Sequence, residues 1–355
     1  SATSRTVFGR ECCYPPRKND GANVCQRVVS MPPDMDDDRE PTHDSTMASI
    51  DIGSHTARLL IAEKIDGSKL FRPIVRKRTY IRLADDFENG LIKREAVDRA
   101  LKALEDFVSM SQRLGVDIIR AVSTGVVRKA GNRDRFLDVI RERTGIRVAL
   151  ISGEEEARLT GKGVFHALNM HGGPFVIFDL GGGTTEFVFG QAQSPEVKSV
   201  PLGAMMLTQT HLTCDPPEEN DLKRLEKHIA KILGDAFVSK VPKREDRLLV
   251  GTGGTVTTLA AMIHGIGTDE IGHDNVHGLL LKREEFVRLF NRISTINFEE
   301  RVKLPGLDRE RADVIVAGAM VVGGILQFFQ SPSMVVSFSD ILEGILIECL
   351  TEIKS

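Results

Sequence analysis

Cysteine is scarce in the 355-residue sequence and does not pair: of five, Cys12 and Cys13 are adjacent while Cys25, Cys214 and Cys349 are scattered. That spacing excludes a disulfide framework and a cysteine-built zinc site. An excess of one charge is missing too. The 47 Lys and Arg against 50 Asp and Glu leave a net −3, and without a basic footprint nucleic acid is not a favoured partner. No secretory leader opens the sequence, so the expected setting is cytoplasmic. A long uncharged stretch lies between Asp313 and Asp340, but Gly318, Gly323, Gly324 and Gln327 interrupt it. Ser331-Pro332 then breaks it before about 18 apolar residues accumulate. A buried helix followed by the strand Met334–Phe338 is expected, and no membrane partner. No motif for a nucleophilic cysteine or serine is present, so no covalent intermediate is expected.

What remains is ordinary for a globular protein of about two domains, with 41% hydrophobic and 27% charged residues. Residues 1–46 differ from the rest. Prolines at 15, 16, 32, 33 and 41, acids at Asp34 and Asp36–Asp38, and no apolar periodicity predict a disordered or non-native extension. Met47, directly before the first strand, suits a natural start.

The organising stretch is Phe175–Gly190. Two runs, Val176–Phe178 and Phe187–Phe189, flank Gly181, Gly182, Gly183, Thr184 and Thr185, which predicts a β-hairpin whose turn exposes backbone N–H groups. Consecutive glycines let a backbone approach an anion closely, and the threonines add hydroxyl donors. Asp179 enters the turn and Glu186 leaves it. Carboxylates beside a phosphate-shaped pocket make sense with a divalent ion between them, Mg²⁺ (or Mn²⁺) being the usual hard cation.

The same design occurs earlier in the chain. Ala48–Glu63 is a strand ending in Asp51-Ile-Gly53, a small polar turn through Ser54 and His55, and a returning strand, 128 residues before its counterpart. Two such hairpins imply two related halves closing on a shared cleft. Between them, Lys69–Leu83 is expected as strand and Lys93–Leu114 as an amphipathic helix. Strand Ile118–Val122 leads into Thr124 and Arg128, placed to suit an oxyanion, with a helix cap and surface arginine as the plainer alternative. After strand Arg147–Ile151, Ser152 caps a helix whose first turn is Glu154-Glu155-Glu156. Acids there complement the helix dipole, but one at the junction of the halves can accept a proton from water attacking a phosphate. Strand Leu248–Val250 runs into Gly253, Gly254 and Thr255, another anion site at a helix start. Helices Arg283–Arg292 and Asp308–Phe328 and a last helix from Ile341 complete the expectation.

Four segments, Asp51-Ile-Gly-Ser, Ile151-Ser-Gly-Glu-Glu-Glu-Ala-Arg-Leu, Asp179-Leu-Gly-Gly-Gly-Thr-Thr-Glu and Gly251-Thr-Gly-Gly-Thr-Val-Thr-Thr-Leu, together resemble the exopolyphosphatase/guanosine pentaphosphate phosphohydrolase (Ppx/GppA) family. Leu304-Pro-Gly-Leu-Asp-Arg-Glu-Arg-Ala-Asp-Val-Ile resembles it also. The resemblance implies an α/β fold of two ribonuclease-H-like (actin-like ATPase) domains around an interdomain cleft, with bounds at 47–152 and 153–355 and the C-terminal helix able to pack back on the first. It implies Glu156 as general base, Asp179 and Glu186 as metal- and water-positioning carboxylates, and Asp51 at the metal or a bridging water. Gly181, Gly182, Gly183, Thr184 and Thr185 would bind phosphate, with Ser54, His55 and Thr124 opposite, Arg128 as phosphate-binding arginine, and Gly253, Gly254 and Thr255 lining the cleft. The implied substrate is polyphosphate, cut at its terminal phosphoanhydride with Mg²⁺ (or Mn²⁺), or else guanosine pentaphosphate; the implied assembly is a homodimer. Three departures stand out: His55 where the family has Asn, and Asp340 and Leu342 where it has Gly and Arg. They keep open a weakly catalytic regulator binding guanosine tetraphosphate, and the superfold keeps open a kinase or ATPase.

Overall fold

The computed structural model describes residues 46–65, 70–170, 172–237 and 247–353. Residues 1–45 of the expected extension lie outside the described residues, and residue 46 already belongs to the first strand.

In the first half β1 (Thr46–Ile52), β2 (Thr56–Lys64) and β3 (Phe71–Tyr80) form an antiparallel meander. A two-residue-per-strand hairpin, β4 (Phe87–Glu88) and β5 (Leu91–Ile92), leads to α1 (Arg94–Arg113). Then follow β6 (Ile118–Ser123), α2 (Gly125–Lys129), α3 (Arg133–Thr144) and β7 (Val148–Leu150); the next helix, α4 (Gly153–Ala167), packs on the strands of the second sheet and on the C-terminal helix. The sheet order is β3-β2-β1-β6-β7, parallel from β1 onward. The second half opens with a meander of its own: β8 (Pro174–Leu180), β9 (Thr185–Gln191) and β10 (Ser194–Val200). It continues with α5 (Ala204–His211), α6 (Glu219–Ala236), β11 (Leu248–Thr252), α7 (Gly254–His264), α8 (His273–Val276) and β12 (Leu280–Lys282). It ends with α9 (Arg283–Ile293), α10 (Phe298–Arg301), α11 (Ile315–Phe328), β13 (Ser333–Val336) and α12 (Ile341–Ile353). Its sheet order, β10-β9-β8-β11-β13-β12, repeats the first with one added antiparallel edge strand.

The duplication is visible residue by residue. Ladder partners are Asp51 with Arg58 in the first hairpin and Asp179 with Glu186 in the second. Strands β1 and β8 are buried at every residue after their first, as central strands covered on both faces must be. The long uncharged stretch is α11, buried among α5, α6, α7 and α9; among the described residues no helix is long and apolar enough to cross a membrane.

The expected single helix Asp308–Phe328 is two elements. Asp308 accepts the Glu310 N–H at 3.1 Å and starts a 3₁₀ turn over Arg309–Arg311, and the chain bends before α11 begins. The break turns Arg311 inward, where it is buried.

Helix α12 joins the first sheet. Ile341, Leu342, Ile345 and Leu346 share one cluster with Met47, Leu60, Ala62 and Leu159. Contact with α4 is backbone to backbone: a Cβ on Gly344 would strike the Leu159 carbonyl, and one on Gly163 the Asp340 carbonyl. Alanine at 344 gains about 1 kcal/mol of helix propensity but forces the helices apart, at about 1–3 kcal/mol for overpacking. Gly344→Ala is therefore expected to lower the thermal midpoint by several degrees; an unchanged or raised midpoint would show that the two helices separate freely.

Candidate active site

The two hairpin turns face each other across a cavity of about 820 Å³. Its lining gathers Asp51, Ser54, His55, Thr124, Glu156, Asp179, Gly181, Gly182, Gly183, Thr184, Glu186, Gly253, Gly254 and Thr255, so residues from five separate chain segments meet there. Two of the sequence candidates stand outside that lining. Arg128 lies behind Glu156, its Nη1 3.7 Å from Glu156 Oε2 and 2.8 Å from the Ile151 carbonyl. Thr185 is a correction: its hydroxyl donates to the Leu202 carbonyl at 2.6 Å and is fully buried. Strand alternation sends neighbouring side chains to opposite faces, so Thr184 faces the cavity and Thr185 ties down the loop after β10.

The acidic run at the start of α4 sorts itself the same way. Ser152 Oγ accepts the Glu155 N–H at 3.1 Å as the helix cap. Glu154 is exposed, and Glu155 pairs with Arg158, one of its bonds measuring 2.9 Å. Only Glu156 reaches the cleft. Its Oε2 is buried without a hydrogen-bond partner, and burial, then repulsion from Glu186, Asp51 and Asp179, holds its pKa well above the usual carboxylate range. Asp179 is pushed up to about 8 by burial and then by Asp340. Glu186 is pushed up to about 7 by burial, against Ser199 Oγ, which donates to its Oε1 at 2.7 Å. Asp51 is raised by burial despite its partner Arg58, and its Oδ1 is likewise buried without a partner.

The opposite wall supplies donors. Thr124 sits at the start of α2 with no capping hydrogen bond from its side chain, while Ser54 Oγ accepts the Val126 N–H at 3.0 Å. Gly253 has φ +94, and any side chain there would run into Asp179 and the Leu180 backbone, which requires glycine. His55 is kept neutral, lowered to about 3 by burial and then by Arg311 and Arg78, and packs edge-on against Tyr80, ring centres 5.3 Å apart. Tyr80 donates to Asp308 at 2.7 Å.

Two arginines were missed as site residues. Arg311 lines the cavity against Gly254 with a buried, unpartnered Nε. Burial pushes its pKa down, so an anion is the ligand its position suits. Arg58 lies between Asp51 and Asp340. Its position 128 residues before Glu186 was a usable signal; nothing local marked Arg311.

A divalent ion fits these donors in a particular way. Among the described residues no three His, Cys, Asp or Glu side chains are grouped closely enough to hold an ion by themselves. Yet two carboxylate oxygens are buried and unpartnered, and four carboxylates repel one another. Such donors would suit an ion like Mg²⁺, which keeps waters and takes one or two carboxylates plus substrate phosphate oxygens rather than a closed protein cage.

A model of the Ppx/GppA phosphatase family matches residues 60–353. The chain belongs to that family. Exopolyphosphatase 2 of Mycobacterium tuberculosis is 30% identical over 315 residues, 85% of this chain and 97% of its own length. Exopolyphosphatase 1 of Mycobacterium leprae is 29% identical over 303 residues, 85% of this chain and 88% of its own. The crystal structure of the Aquifex aeolicus Ppx/GppA member gives a TM-score of 0.75 at 30% identity, covering 88% of this chain and 99% of that one. An exopolyphosphatase structure from Cytophaga hutchinsonii gives 0.79 at 26% identity, covering 87% and 98%. The α/β fold is thus the actin-like ATPase fold of Ppx/GppA proteins, and the chain is a phosphoanhydride hydrolase by family. Of its departures, Leu342 is buried in the seam between α12 and the first sheet, and Asp340 is buried at the cavity floor beside Arg58.

Proposed function

We propose that this Ppx/GppA protein is an exopolyphosphatase that removes the terminal phosphate of inorganic polyphosphate by attack of water. The observation that carries the reading is Glu156: a buried carboxylate oxygen without a hydrogen-bond partner, lining the cavity with both hairpin turns and close enough to Asp179 and Glu186 to be repelled by them. The backbone of Gly181–Gly183, with Thr184, Ser54 and Thr124, would cradle the terminal phosphate, and Arg311 the next along the chain. Glu156 would take the proton of the attacking water. Burial and the neighbouring acids raise its proton affinity, which makes its ionised form the stronger proton acceptor, and Arg128 at 3.7 Å favours that ionised form and holds it in register. Phosphoryl transfer asks mainly for positioning and charge neutralisation, which the cradle supplies without a covalent intermediate.

Mg²⁺ (or Mn²⁺) held by Asp179 and Glu186, with Asp51 at its edge, would neutralise charge on the phosphate. The His55–Tyr80 pair lining the same cavity favours guanosine pentaphosphate as the second reading, because it offers a nucleobase an aromatic edge. Phosphate release measured side by side on long-chain polyphosphate, guanosine pentaphosphate and ATP is expected to be fastest on polyphosphate. Release from guanosine pentaphosphate alone would make the second reading the correct one. Nucleotide binding without turnover of any of the three would leave a regulator.

A further inference from the structure

At the floor of the cavity a guanidinium joins a strand of the first half to the chain just before α12. Arg58 on β2 donates from Nε at 3.0 Å and from Nη2 at 2.7 Å to Asp51 Oδ2, and from Nη1 to Asp340 Oδ2. Asp340 comes from the loop between β13 and α12, 282 residues later. Its own geometry is fixed independently: Oδ1 accepts the Leu342 N–H at 3.1 Å, and its N–H donates to Glu343 Oε2 at 2.9 Å. Glu343 in turn accepts from Arg76. Asp51 is left with Oδ2 committed to Arg58 and Oδ1 buried and unpartnered.

We infer that Asp340 is a positioning residue for the reacting centre: it orients Arg58, and through Arg58 it fixes which oxygen Asp51 presents. The planar guanidinium meets both carboxylates at once through its rigid fork. With Asp340 holding Nη1, neither Arg58 nor Asp51 can rotate alone. With a glycine at 340, Arg58 would have a carboxylate on one side only, and Asp51 would follow its swings. In this chain Arg58 is thereby a fixed part of the floor, its donors committed to protein carboxylates rather than to substrate.

The inference rests on the hydrolase reading for its kinetic consequence, but not for its geometry. Asp340→Asn keeps the acceptor for the Leu342 N–H, since Asn caps helices as well as Asp, and loses only the charged grip on Arg58. It is expected to lower kcat for phosphate release about 10- to 100-fold, the usual loss when a partner that orients an active-site ligand is removed, with KM within twofold. Asp340→Glu is expected to recover part of the loss. Arg58→Lys should cost about as much as Asp340→Asn, and the double variant no more than the worse single one. A raised KM with kcat unchanged, or losses that multiply, would overturn the inference and put Arg58 on the substrate. The urea midpoints of the same four proteins give a readout independent of turnover. The double variant is expected to unfold at the midpoint of the less stable single variant; additive shifts would mean that Asp340 and Arg58 do not act as a unit. If no substrate is turned over at all, the hydrolase reading fails, and the midpoints alone decide for or against the pin.

Discussion

Glu156→Gln is expected to bind substrate and fold as the native chain does, yet to lose at least about 10²-fold in kcat, the low end of what general-base catalysis supplies. Glutamine keeps the size of the side chain and its place at the start of α4, while removing the charge of the one carboxylate in the acidic run that reaches the cavity, whose Oε2 lacks a hydrogen-bond partner. The comparison that makes the result specific is Glu155→Gln. Glu155 is tied to Arg158 on the flank of the same helix turn, so its loss costs at most a surface ion pair, about 0–1 kcal/mol. Steady-state phosphate release separates the two variants. Turnover near that of the native chain in Glu156→Gln would move the base elsewhere in the cluster.

The second large effect concerns stability rather than rate. Asp179 and Glu186 hold their protons to about 8 and about 7, whereas a carboxyl in the unfolded chain releases its proton near 4. Between those limits the folded state binds more protons than the unfolded one, so stability falls as pH rises through that window. Without divalent cations, the thermal midpoint is therefore expected to drop by several degrees from pH 5 to pH 8.5. Glu186→Gln should flatten that slope and melt above the native chain at pH 8.5, while losing activity. Adding Mg²⁺ with phosphate at high pH should restore the native midpoint. A midpoint that rises with pH in the cation-free protein would mean that these carboxylates are ionised and well solvated.

Much of this was legible because hairpins and helix starts are local events. The triple glycine, the alternating apolar residues around it and the 128-residue echo lie within short windows of sequence, and each maps onto a turn that lines the cavity. What escaped was set by contacts between distant residues or by parity. Thr184 and Thr185 look alike in sequence, and strand alternation alone separates them. Helix α3 buries just Phe136 and Ile140, too little apolar periodicity to announce itself, and β12 is three residues long. Asp340 stood out in the sequence only as a departure from the family pattern. Its partner is 282 residues away, a distance over which no local pattern speaks.

The paired hairpins have one further consequence. Two identical turns facing across a cleft would make a site with a two-fold axis and no preferred direction for a linear guest. Here equivalent ladder positions hold Arg58 on one side and Glu186 on the other. On one side an arginine answers the acid beside it, while the other keeps an unbalanced pair of acids. A duplicated scaffold thus acquires a front and a back from a change of charge at a single register position. Restoring the equivalence with an acid at 58 would leave the floor without its counter-ion and the cleft without its polarity.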